Sequence, residues 1–177
     1  MRLFIAINFD DAVKNQIINL QEKLHPQVLQ GKFSKPENLH LTLVFLGETP
    51  AERLASLQKA IENVEASPFK IFFAKTGCFK RHASELWWLG ASYDTPGFSQ
   101  LQSIYNQLVQ NLGKENFSFD RKPFNAHVTL AREITRQKPV YLNFQPVQIN
   151  IEHISLMKSE HLRGVLTYTE LFRKCFT

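Results

Sequence analysis

A short strand pattern occurs twice in this chain, as Leu39-His40-Leu41-Thr42-Leu43-Val44 and as Ala126-His127-Val128-Thr129-Leu130-Ala131. Side chains alternate between the two faces of a strand, so each histidine shares a face with its threonine and the intervening apolar residue turns toward a core. Each copy thus offers one imidazole and one hydroxyl together. An apolar helical stripe ends at Leu24, 16 positions before His40, and another at Leu112, 15 positions before His127. The matched spacing implies an internal duplication. If the two strands face each other across a cleft, four polar groups converge from two sides.

The surrounding pattern alternates strands and helices. A strand is expected over residues 2 to 9, followed by a helix capped by Asp10 or Asp11, with Val13, Ile17, Leu20 and Leu24 along one face, ending near His25-Pro26. The first motif strand spans about 39 to 46 and closes at Gly47. Thr49-Pro50-Ala51-Glu52 has the form of a capping box with proline at the first helical position, and Leu54, Leu57, Ile61 and Val64 continue it as an apolar stripe. Phe69 to Ala74 and Glu85 to Ala91 are expected strands, with Gly77 to Ser84 a basic loop between them. Thr95-Pro96 opens a further helix marked by Phe98, Leu101, Tyr105, Leu108 and Leu112 and stopped at Gly113. Strands over about 147 to 158 and 165 to 173 complete an α+β body.

At 177 residues and 44% apolar composition the chain fits one domain over residues 1 to 177, built as two lobes. Its formal charge of +5 favours an anionic ligand. Cys78 and Cys175 have neither metal-type spacing nor the density of a disulfide framework, so reduced thiols in a cytoplasmic setting are expected. The opening apolar run is too short for a signal segment, and no stretch approaches membrane-spanning length. A zinc site needs three or four ligands and nothing supplies the rest, so no metal is expected. With neither a Walker-type loop nor a dinucleotide fingerprint, no nucleotide cofactor is expected either.

A histidine pair near its ordinary pKa of about 6.5 can hold one member neutral as base and the other protonated as acid. Phosphodiester cleavage needs both roles, while the hydroxyls of Thr42 and Thr129 can donate to the charge gathering on the non-bridging oxygens. Residue chemistry alone leaves open which imidazole is the acid.

Four segments together carry a family resemblance: Arg2-Leu3-Phe4-Ile5-Ala6-Ile7, Pro36 to Gly47 around the first motif, Leu86-Trp87-Trp88-Leu89-Gly90, and Lys122 to Arg132 around the second. The sequence resembles the two-histidine phosphoesterase superfamily, most of all its RNA 2′,3′-cyclic phosphodiesterase branch, also called 2′-5′ RNA ligase. The resemblance implies a bilobal fold, two pseudo-symmetric lobes of antiparallel sheet with outer helices around a central cleft. It implies metal-independent hydrolysis of an RNA 2′,3′-cyclic phosphate to a 2′-phosphate, with His40 as proton donor and His127 as proton acceptor. The expected partner is RNA ending in a 2′,3′-cyclic phosphate, tRNA fragments being one candidate, acted on by a monomer with no membrane association. Reversible 2′-5′ ligation by the same groups, or binding of RNA ends without turnover, are the alternatives.

Phe45 and Arg132 each lie five positions after a motif histidine. Pseudo-symmetry makes them candidates to hold a nucleobase between two flat faces. In a regular strand an odd offset points away from the histidine, so this requires a bend, a bulge or a strand end. Lys80, Arg81 and His82 form a basic cluster that is a further candidate for RNA contact.

Overall fold

The computed structural model describes residues 1–119 and 123–177; Lys122, part of the second family segment, lies outside them. The chain runs β1 (Arg2–Asn8), α1 (Asp11–Leu24), β2 (Gln30–Phe33), β3 (His40–Glu48), α2 (Leu54–Glu62), β4 (Phe69–Arg81), β5 (Ser84–Ala91), α3 (Pro96–Lys114), β6 (His127–Thr135), β7 (Val147–Ile151), β8 (His153–Leu162) and β9 (Val165–Cys175). Asp10 caps α1 as expected, its carboxylate accepting from Val13 N at 2.8 Å.

Among the described residues the strands form one antiparallel sheet in the order β7-β4-β5-β6-β3-β1-β8-β9, with β2 also paired to β6. Outward from the middle of the sheet, the two sides correspond in their inner two strands, β6-β5 and β3-β1. The motif strands β3 and β6 lie innermost, and each is joined to its neighbour by a connection that contains a helix, β1-α1-β2-β3 and β5-α3-β6. The fold is thus α+β with two pseudo-symmetric halves. They join where Leu41 pairs with Val128. Beyond that point β3 leaves β6, and β2 takes over the same edge by pairing Lys32 with Arg132 and Phe33 with Ala131. Divergence of the motif strands opens the cleft.

One face of the sheet packs on the helices. α1 lies on β6 and β7, α3 on β4 and β3, and α2 against α3 and β9. Leu41, Leu43, Val128, Leu130, Ile71 and Phe73 enter this core together with Ile17 and Leu24 of α1 and Leu101 and Leu108 of α3. Each such side chain contributes about 1.5–3 kcal/mol of burial free energy. The other face carries the motif histidines. No helix among the described residues is long and apolar enough to cross a membrane.

Several boundaries differ from the sequence expectation. Residues 77 to 84 are not a loop: β4 and β5 extend into a hairpin in which Arg81 pairs with Ser84 around a two-residue turn. The apolar alternation weakens there because this face serves the cleft rather than the core. Thr49 does not build a capping box. Its hydroxyl turns back toward Gly47 O, and a 3-10 turn at Ala51–Arg53 precedes α2. Gly113 does not stop α3, which runs to Lys114 and is closed by Asn116 at φ 53°. The stretch from 147 to 158 is two strands, broken between Ile151 and His153. The four-residue strand β2 carries no periodic signal and was not expected.

Candidate active site

The pairing of Leu41 with Val128 fixes the geometry of the motifs. Continued antiparallel register sets His40 beside Thr129 and Thr42 beside His127, all four on the face away from the core. They line one cleft of about 320 Å³ whose walls include Lys32, Lys35 and Arg132 on one side and Val165, Leu166 and Tyr168 on the other. A second cavity of about 580 Å³ adjoins the same groups, sharing Thr42, His127, Thr129 and Arg132 and adding Phe45, Phe79, Arg81, Tyr105 and Phe124.

Both imidazoles are held the same way. Nδ1 of His40 lies 2.8 Å from the Asn38 carbonyl and Nδ1 of His127 lies 2.7 Å from that of Asn125, each two residues upstream. A carbonyl only accepts, so Nδ1 carries the proton in both rings and Nε2 is left as the nitrogen that can exchange one. Nε2 of His40 sits 2.9 Å from Thr42 Oγ1. When His40 is neutral the threonine donates to it; when it is protonated the direction reverses. The signal was present in the sequence as Asn-x-His-x-Thr-Leu in both copies, although it is the asparagine backbone that acts.

Aromatic rings surround each histidine. Phe4 and Tyr168 lie 4.9 and 5.1 Å from the His40 ring, Phe79 and Trp88 lie 5.4 and 6.5 Å from the His127 ring. Burial dominates their titration. It lowers His40 from 6.5 to about 4, and the positive field of Arg132 acts in the same direction. His127 is lowered for the same two reasons, burial first. At pH 7 both rings of the free protein are therefore neutral.

Phe45 and Arg132 do reach the motif face. In β3 the register with β1 shifts between Ile5↔Val44 and Ala6↔Thr42, which makes Leu43 a bulge residue. In β6 the register with β5 shifts between Trp87↔Ala131 and Trp88↔Thr129, which does the same for Leu130. Leu43 and Val44 are both buried, as are Leu130 and Ala131, and the next residue in each strand is exposed. One extra residue at the same offset in both copies inverts the facing of the position that follows it, Phe45 in β3 and Arg132 in β6, before a second register shift occurs further along each strand. Both side chains then line the second cavity. Arg132 has no carboxylate partner among the described residues, and Phe45 lies under the Arg2 guanidinium at 5.1 Å.

Gln21 escaped the sequence reading because it sits on α1 beside the apolar stripe. It is buried, and its amide donates to Leu130 O at 2.7 Å and Ser34 O at 2.9 Å. Ser34 in turn donates from N to Leu130 O and from Oγ to Thr129 O. This small network saturates the backbone acceptors that the second bulge leaves outside the ladder. Of the tryptophan pair, Trp87 is core, whereas Trp88 lies across from Thr129 on the cleft side.

Two His-x-Thr strands converging on the floor of one cleft, in a two-halved antiparallel sheet with outer helices, define a phosphoesterase of the two-histidine superfamily. Residues 7–88 match the family described as LigT like Phosphoesterase. The RNA 2′,3′-cyclic phosphodiesterase of Archaeoglobus fulgidus is 35% identical over 140 residues, covering 78% of this chain and 76% of that protein. The structure of E. coli LigT in apo form superposes with a TM-score of 0.86 at 28% identity, covering 99% of this chain and 97% of that one. Its complex with 3′-AMP superposes with a TM-score of 0.84 at 26% identity, covering 99% of this chain and 98% of that chain. The chain belongs to the LigT-like phosphoesterase family.

Proposed function

We propose that this protein hydrolyses RNA 2′,3′-cyclic phosphate ends to 2′-phosphomonoesters by proton transfer between its two motif histidines. The observation that carries the reading is the convergence of His40, Thr42, His127 and Thr129 on one cleft, with Nδ1 of both rings engaged so that both Nε2 atoms remain for chemistry. The relative with RNA 2′,3′-cyclic phosphodiesterase as its name, and the complex of E. coli LigT with 3′-AMP, support the substrate class.

In this scheme His127 Nε2 takes a proton from water as its oxygen bonds to phosphorus. The P–O3′ bond breaks, and His40 Nε2–H supplies the proton that makes O3′ a hydroxyl, leaving phosphate on O2′. The assignment of donor and acceptor rests on the family resemblance. Thr42 and Thr129 donate to the non-bridging oxygens as phosphorus becomes five-coordinate, and the unpaired Arg132 offsets their charge. Phe45 and Arg132 hold the base. The cleft offers two imidazoles, hydroxyls and the cations Lys35 and Arg132, with Lys32 held by Glu133 at its edge and no carboxylate in its lining, a donor set for an anion rather than for a divalent metal ion. Because one chain builds the whole cleft, a monomer suffices, and any RNA presenting this terminus, a tRNA fragment included, fits the chemistry.

The test supplies a nucleoside 2′,3′-cyclic phosphate in EDTA and locates the product phosphate by NMR. A 2′-phosphate is expected from the unaltered protein, with turnover reduced about 10²- to 10⁴-fold in His40→Ala and in His127→Ala. Absence of turnover by the unaltered protein across pH 5 to 9 defeats the proposal.

A further inference from the structure

The exposed face of the second half-sheet continues outward from His127, through the Phe79 and Arg81 wall of the second cavity and past it. Register places Trp88 and Gly90 of β5 beside Thr129 and His127, and Gly77 and Lys75 of β4 beside Trp88 and Gly90. The Trp88 ring lies flat over the two glycines: a Cβ at Gly77 or Gly90 would come within 2.4 or 2.6 Å of it. Phe79 packs on Trp88 at 5.6 Å. A bulge at Ala74, where the register shifts between Phe73 and Lys75, keeps Phe72 and Lys70 on this same face, paired with Gln148 and Asn150 of β7. Beside them Tyr93 is half exposed, with the Lys75 ammonium 4.8 Å from its ring and its hydroxyl donating to Asn125 at 3.2 Å.

The surface thus carries exposed Phe72, Phe79 and Tyr93 interleaved with Lys70, Lys75 and Arg81. None of the three cations has a carboxylate partner among the described residues. On the opposite half-sheet the equivalent face is neutralised: Arg173 is bound to Glu170 through two nitrogens, and Asn8 and Ser155 donate to the same carboxylate. From Phe79 to Phe72 is seven residues, about 23 Å at ~3.3 Å per residue, a span for several nucleotides. Flat rings spaced among cations are what an unpaired nucleic-acid strand needs for stacking and phosphate neutralisation.

We infer that the face of β4, β5 and β7 beyond His127 binds the single-stranded RNA segment immediately upstream of the cyclic-phosphate terminus. This rests on the proposed function. It adds a strand-binding track to that reading and makes oligonucleotides, rather than mononucleotides, the preferred substrate.

The test compares oligonucleotides of one, three, five and eight residues that share one 3′ nucleotide. Affinity for fluorophore-labelled 2′-phosphate ends is measured by anisotropy, and kcat/KM for the matching cyclic-phosphate ends. Affinity and kcat/KM should rise roughly tenfold or more with length and then level off. Phe72→Ala and Lys70→Ala/Lys75→Ala should abolish most of that gain and leave the one-residue ligand unchanged, which also shows that the variants are folded. The gain should shrink with added salt. Equal values at all lengths, or a length gain untouched by these substitutions, would overturn the inference. Failure of the one-residue substrate to turn over counts instead against the proposed function, and the binding series still decides the track.

Discussion

The two histidines owe their chemistry to surroundings as much as to identity. A ring buried between Phe4 and Tyr168 pays to carry charge, and Arg132 adds repulsion, so folding favours neutral His40. Because its folded pKa of about 4 lies below the unfolded value of about 6.5, the stability it contributes is complete above pH 6.5 and is lost as pH falls toward 4. An anionic phosphate between the rings acts the other way and raises both. The expected kinetics are a bell in kcat/KM whose maximum lies below pH 6.5, and a bell in kcat displaced to higher pH. Arg132→Ala removes a positive field common to both rings, so its kcat/KM maximum should move to higher pH. NMR titration of the imidazoles in the free variant should show both pKa values raised. An unmoved profile would separate Arg132 from the histidines.

At the scale of the element, the bulge is the device that matters. It puts Arg132 and Phe45 on the motif face, and its sequence trace is the adjacent apolar pair after each threonine, Leu43-Val44 and Leu130-Ala131, where alternation fails in both copies. The trace is visible, but nothing in it tells a bulge from a strand end. The support is less visible still: Gln21 acts through hydrogen bonds to Ser34 and Leu130, 13 and 109 residues away. Replacing it with alanine leaves buried carbonyls short of a donor, a cost of about 1–3 kcal/mol. Chemical denaturation of Gln21→Ala should show that loss. Its kcat should fall while the one-residue product binds nearly as before, since Thr129 and Arg132 are displaced but retained. Full kcat at reduced stability would confine Gln21 to a structural role.

Across the molecule, one apolar core runs under both half-sheets, so the two halves are expected to unfold together. Leu41 and Val128 hold the junction from beneath, both fully buried. Leu41→Ala should cost about 2–5 kcal/mol. Tryptophan fluorescence, which reports only on β5 through Trp87 and Trp88, should then lose its native signal in the same single transition as the far-UV circular dichroism. Two separate transitions would mean that the halves fold apart.

The repeated His-x-Thr pair, the helix that precedes each copy and the α+β class were determined locally, by periodicity and side-chain chemistry that neighbouring residues settle among themselves. So was the match between the two copies, down to the asparagine two residues ahead of each histidine. Long-range pairing decided the rest: that β3 and β6 meet at Leu41 and Val128, that β2 fills the edge β3 vacates, that residues 77 to 84 form a hairpin, and that one half-sheet bares its cations while the other pairs Arg173 with Glu170. Sequence spacing carries no information about which distant strand supplies the partner. The imidazoles were legible from the sequence, and the lowered proton affinity that suits them to the cleft came only from what tertiary packing buries around them.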